Sequence, residues 1–105
     1  MDYANSKNGA KIRLTNERWQ HITIGHPEMA DYYYEILEAI ENPDVAYEGN
    51  NVAIIVTKKL ISHQLKFLVV IYKEISEADG FVITAYLSNK NQEFNKKKIL
   101  WKQQN

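Results

Sequence analysis

Cysteine is absent from this 105-residue chain. That removes a disulfide scaffold, a thiol nucleophile and a thiolate metal site together, and it suits a reducing compartment. Glycine occurs four times and proline twice, so there is no phosphate-cradling glycine loop and no Gly-x-Ser-x-Gly elbow. No apolar run approaches the roughly 20 residues a membrane-spanning helix needs. The opening Met-Asp-Tyr-Ala-Asn-Ser lacks the apolar core of a signal peptide. A soluble, cytoplasmic protein without a membrane partner is expected. What remains is ordinary globular material, 45% hydrophobic and 25% charged, enough for one modest core in a single domain over residues 1–105.

Net charge is zero, but the signs are segregated. Residues 1–52 hold nine Asp/Glu and four Lys/Arg, and residues 53–105 hold four and nine. An acidic front and a basic, polyanion-facing rear are one reading of this pattern. Mutual attraction of the two halves within the fold is the other.

Hydrophobic period divides the chain near Pro43. Residues 1–10 are polar and read as a loose segment, and Lys11-Ile12-Arg13-Leu14 alternates as a short strand or extended lead-in. Thr15 reads as the N-cap of a helix from Asn16 to about Thr23, with Trp19 and Ile22 buried and Gly25 ending it. Pro27 suits the first position of a second helix reaching Glu41, with Tyr33, Ile36, Leu37 and Ile40 inside. Asn42-Pro43-Asp44 stops it. Val45–Glu48 and Val52–Thr57 then flank a Gly49-Asn50-Asn51 turn, followed by strands Leu65–Lys73 and Phe81–Ser88 and a loop containing Asp79-Gly80. Ile99-Leu100-Trp101 is a last short strand or a packed loop. The expected fold is α+β: two N-terminal helices on one face of a four- to five-stranded antiparallel sheet.

Alternation sorts the strand faces. Leu65, Phe67, Val69 and Ile71, with Phe81, Ile83, Ala85 and Leu87, are expected toward the helices. That leaves Lys66, Tyr72, Thr84, Tyr86 and Ser88 on the open side. A cation, hydroxyls and aromatic rings are the equipment of an RNA-binding surface; a half-solvated sheet face looks the same.

Acid–base chemistry near neutral pH has three histidines to draw on. His26 sits in the Gly25-His26-Pro27-Glu28 corner, where Glu28 can orient the imidazole; filling that corner is its structural alternative. His21 lies one turn after Glu17, as a surface ion pair or a second functional histidine. His63 reads as a solvated loop residue. On one continuous helix His21 and His26 would splay by about 140°, and no Cys/His cluster or His-Glu-x-x-His motif is present. No metal and no cofactor is expected.

Several segments together resemble a known family. They are Glu17-Arg18-Trp19-Gln20-His21-Ile22, His26-Pro27-Glu28-Met29, Pro43-Asp44, Tyr47-Glu48-Gly49, Lys66-Phe67-Leu68-Val69-Val70, Asp79-Gly80 through Tyr86, and Lys97-Lys98-Ile99-Leu100-Trp101. Spread over residues 11–102, they are similar to the phage-associated PBECR domains, nuclease-like domains grouped with barnase, EndoU, colicin D and RelE. The resemblance implies metal-independent RNA cleavage in which the ribose 2′-OH attacks its own phosphate. It implies His26, then His21, as acid or base, Thr84 as a phosphate hydrogen-bond donor, and Lys66 or Arg18 stabilising the phosphorane. Lys96 and Lys98 would hold the RNA backbone, with Arg18, Tyr72 and Tyr86 completing the RNA surface. The implied partner is RNA, of the tRNA or mRNA class, with a cognate antitoxin or immunity protein as inhibitor. The competing expectation is a non-catalytic interaction module, antitoxin- or immunity-like, docking through its acidic helices.

Overall fold

The computed structural model describes residues 2–60, 63–90 and 92–104, and at 63–65 only the course of the backbone. Its strands are β1 (Asp2–Asn5), β2 (Lys11–Leu14), β3 (Val45–Glu48), β4 (Ala53–Leu60), β5 (His63–Glu74), β6 (Asp79–Ser88) and β7 (Ile99–Lys102). Between β2 and β3 lie helix α1 (Asn16–Gly25), a 3₁₀ turn (Pro27–Asp31) and helix α2 (Tyr33–Glu41). All seven strands form one sheet in the order β1-β2-β6-β5-β4-β3-β7.

This corrects the expected four- to five-stranded antiparallel sheet behind two N-terminal helices. The sheet is mixed, because β2 pairs with β6 in parallel through Lys11↔Asp79, Ile12↔Gly80 and Arg13↔Phe81. The helices are not N-terminal either, since a β1–β2 hairpin precedes them. Residues 2–5, expected to be loose, form its first strand. Four-residue edge strands carry too few alternations to register as strands, and parallel pairing across more than 60 residues leaves no local trace.

Local chemistry explains the helices. Thr15 caps α1 as expected, its Oγ1 accepting a hydrogen bond from the Arg18 amide at 3.2 Å. Ile22 is fully buried, and Trp19 meets Tyr33 edge-on at 5.0 Å between ring centroids. The expected continuous helix from Pro27 to Glu41 breaks at Tyr32, whose φ of −119° leaves the helical region. Three consecutive tyrosines supply little helix propensity there. Beyond the break, Ile36, Ala39 and Ile40 bury the inner stripe of α2. Among the described residues, no helix is long and apolar enough to cross a membrane.

The core lies between the helices and one face of the sheet. From β5 it takes Leu68, Val70 and Tyr72, opposite Val56 and Ile54 of β4. The expected parity of β5 is therefore inverted: Phe67, Val69 and Ile71 face away from the helices, and Tyr72 is only 2% exposed inside the core. A run apolar on both faces offers alternation no preferred phase. Leu65, expected in the inner row, has a side chain outside the described residues; His63, expected in a loop, begins β5.

On β6 half of the expected parity is wrong, for a different reason. Ile71 pairs with Thr84 but Tyr72 pairs with Val82, so Ile83 is an extra residue in a β-bulge. After the bulge Ala85 is buried, and Thr84, Tyr86 and Ser88 lie opposite Ile71, Val69 and Phe67 on the open face, as expected. Before it Val82, not Phe81 or Ile83, enters the core. Gly80, fully enclosed where β2, β5 and β6 meet, admits no side chain: a Cβ would lie 2.4 Å from the Lys73 carbonyl oxygen.

Candidate functional site

The face turned away from the helices has an apolar floor and a polar rim. Val69 and Ile55 form the floor, and both are nearly inaccessible. They are covered because residues 92–98 fold back across the sheet, setting Phe94 against Tyr47 at 5.5 Å between ring centroids. A cleft of about 270 Å³ remains, lined in part by Thr57, Lys59, Ser88, Lys90 and Glu93. Two further clefts are a groove beside α2 lined in part by Glu35, Glu38 and Leu60, and an open hollow by Glu74. None of the three has a histidine in its described lining, and His26 stands outside the first cleft, beside Tyr86.

At one side of the site β6 is a free margin, because β2 pairs only with its first residues. The α1 terminus comes alongside here and carries His26, whose ring centroid is 5.7 Å from that of Tyr86. The Tyr86 hydroxyl donates to Glu93 Oε2 at 3.0 Å, and Ser88 Oγ donates to Glu93 Oε1 at 2.8 Å. Burial first, then the hydrogen bond and charge of Glu93, push the Tyr86 phenol up to about 12. Tyr86 therefore stays a neutral hydrogen-bond donor across the physiological range. His26 remains 41% exposed at its side chain, with Nδ1 3.7 Å from Glu28 Oε2. That pairing gives the imidazole an electrostatic partner without a direct hydrogen bond.

The structure thus gathers His26 and Tyr86, with Thr84 two residues along the same strand face, about 7 Å away. It separates the other candidates. Tyr72, expected on the RNA surface, is a core residue. Lys66 is exposed, but it has the parity of Leu68 on the helix side of β5 and lies five residues before Ile71, the partner of Thr84. That is about 17 Å along the strand. Arg18 stands eight residues before His26, about 12 Å along α1. Neither cation stands beside the His26–Thr84 pair, so the expected grouping is corrected at that point. His21 is exposed, and the described ion pairs are Arg13–Asp79 and His26–Glu28, not Glu17–His21. Lys96 and Lys98 are exposed on the covering segment, whose Lys98 carbonyl accepts the Glu48 amide at 2.8 Å.

The sequence reading missed Lys59, Lys90 and Glu93. Lys59 was within reach, because Thr57 and Lys59 alternate with the buried Val56 and Leu60. Glu93 left no signal, standing in a polar stretch without periodicity. Among the described residues, no three His, Asp or Glu side chains are grouped to hold a metal ion.

Charge segregation also finds its place. The helical layer carries Glu17, Glu28, Asp31, Glu35, Glu38 and Glu41. By strand register the open face carries Arg13, Lys59 and Lys73, with Lys90 at its rim. Acids stand among these cations: Asp79 pairs with Arg13 at 3.0 Å, and Asp44 and Glu93 line the cleft with Lys59 and Lys90. Lys58 shares the groove beside α2 with Glu35 and Glu38, so the two halves partly neutralise each other. No family model, curated protein or solved structure matches this chain.

Proposed function

We propose that the chain is a metal-independent RNA-cleaving domain that works on the open face of its sheet at the His26–Tyr86 margin. The observation that carries this reading is the convergence of an imidazole, hydroxyls and a carboxylate from separate segments on one open face. His26 comes from the end of α1, Tyr86 and Ser88 from β6, and Glu93 from the covering segment. The resemblance of the sequence segments to PBECR domains, which first nominated His26 and Thr84, points the same way.

The chemistry needs three services. A base takes the proton of the 2′-hydroxyl as the O2′–P bond forms. An acid returns a proton to the departing 5′-oxygen as the P–O5′ bond breaks. Fixed donors and cations hold the charge that builds on the phosphoryl oxygens. His26, half-exposed and beside Tyr86, serves in the proton transfers. Thr84 and the neutral Tyr86 phenol offer hydrogen bonds to the phosphate. Lys59 and Lys90 line the neighbouring cleft, where they would hold adjacent RNA phosphates rather than the reacting one.

Incubation of the purified protein with RNA in excess EDTA, followed by end-group analysis, tests this. Cyclic 2′,3′-phosphate ends are expected. Absence of cleavage on tRNA and mRNA substrates alike would overturn the reading.

A second reading, an interaction module, is favoured by the helical layer. There Ile24 and Tyr34 are 81% and 74% exposed beside the acidic residues. Expression in a host separates the two: a nuclease arrests growth, whereas a silent partner does not.

A further inference from the structure

We infer that the hydroxyls of Tyr86 and Ser88 form a phosphate-binding site that the chain itself fills with the Glu93 carboxylate. This rests on the nuclease reading for its biological ligand, an RNA phosphodiester, and on geometry alone for the site. Two hydroxyl donors two residues apart on one strand face point at the two oxygens of one anion, at 3.0 and 2.8 Å. The Lys90 amide donates to Ser88 Oγ at 3.1 Å, which orients that hydroxyl's proton toward the anion. A phosphodiester presents two non-bridging oxygens with one shared negative charge, the same demand a carboxylate makes.

Nothing in the local fold requires an acid at this place. Residues 92–98 are already held by the Phe94–Tyr47 contact and the Glu48–Lys98 backbone hydrogen bond. Glu93 itself is solvent-exposed, and Lys59 and Lys90 line the same cleft. The carboxylate therefore competes with RNA for the same donors. Bound RNA must displace Glu93, and the segment that carries it lifts from the cleft or slides along it. The cost appears as an affinity lowered by the fraction of molecules in which the donors are free. A protein in which Glu93 occupies the donors about nine times in ten binds about tenfold more weakly than one lacking the carboxylate.

The experiment uses a short single-stranded oligodeoxynucleotide, which lacks the 2′-hydroxyl and is not cleaved by this chemistry. Its affinity is measured for the wild type, Glu93→Gln, and Glu93→Gln combined with Tyr86→Phe or Ser88→Ala. Glu77→Gln, which removes an equal charge from an exposed position outside the cleft, is the control for general electrostatics. About tenfold tighter binding by Glu93→Gln, lost in both combined variants and not matched by Glu77→Gln, is the expected result. Unchanged or weaker binding by Glu93→Gln overturns the inference. So does a gain that survives loss of either hydroxyl, or one that Glu77→Gln reproduces. Because binding is read without turnover, a protein that cuts no RNA still tests this site, and the two readings fail separately. A wild-type-like amide spectrum for Glu93→Gln establishes that the covering segment is folded.

Discussion

On β5, Leu68, Val70 and Tyr72 face the helices, while Phe67, Val69 and Ile71 face the other way. Both rows are largely apolar, yet they meet different surroundings. The helix side is closed by Ile22, Met29, Ile36 and Ile40, all fully buried. Among the described residues, the opposite side is covered by the segment 92–98, and β6 adds Thr84, Tyr86 and Ser88 there. The Ile83 bulge shifts the phase of β6: Val82 before it and Ala85 after it enter the core, while Thr84, Tyr86 and Ser88 lie on the open face and Ser88 lines the cleft. One face is closed into a core; the other is the face proposed to meet a ligand.

The largest expected effect breaks that division at the ligand side. His26→Ala should lower RNA cleavage by about 100- to 10,000-fold if the histidine transfers a proton, with the urea midpoint almost unchanged. A rate untouched by this substitution would move the role to His21. A drop in stability matching the drop in rate would place His26 in the fold's framework instead.

Next in size is the helix side. Leu68→Ala should remove about 2–5 kcal/mol of stability, measured by urea unfolding. Its neighbour on the other face, Phe67→Ala, should cost less because that ring is only partly buried. Equal losses would show that both faces are true cores. Gly80→Ala should cost about 1–3 kcal/mol through overpacking against Lys73 and Ile12; a neutral result would mean that the β2–β6 junction yields.

Charge comes after packing. Reversal of Lys59 and Lys90 to Glu should weaken RNA binding and reduce its salt slope by about 1 for each phosphate that is no longer neutralised. The same change at Lys96 and Lys98, outside the cleft lining, should do less. A larger effect of the second pair would shift the RNA path onto the covering segment.

The smallest effect sets Tyr72 against Tyr86. Burial, then the charge of Glu74, raises the Tyr72 phenol well beyond the ordinary tyrosine range, above Tyr86 at about 12. Both values are raised, so their contribution to stability is complete below the ordinary pKa of 10 and declines as pH climbs through the folded values. Alkaline titration followed by phenolate absorbance should show Tyr86 ionising before Tyr72, and Glu93→Gln should lower the Tyr86 value alone. The reverse order would contradict the face assignment.

What was legible in the sequence follows from how local each signal is. Thr15, the Ile22 and Ile36–Ile40 stripes, the turn after Glu48 and the polar row Thr84-Tyr86-Ser88 depend on neighbours within a few residues. The inverted face of β5 was illegible because Phe67 through Ile71 is apolar at every position. The bulge at Ile83 and the meeting of His26 with Tyr86 arise from pairings between segments far apart in the chain. Glu93 was invisible for a related reason: what it does depends on a fold-back that polar residues do not announce.

Gly80 stands where the first hairpin joins the middle of the sheet, and that junction bears on the order in which the molecule assembles. The β4-β5-β6 meander needs only near neighbours, whereas β2 finds its partner 68 residues later. On a ribosome the β1–β2 hairpin and both helices emerge long before any sheet exists for them to join. Closing such long loops slows folding relative to local pairing. The hairpin should therefore gain protection last in pulsed hydrogen exchange and lose it first under native conditions. Protection arriving in β1 and β2 together with β5 would instead mark the parallel junction as part of the folding nucleus.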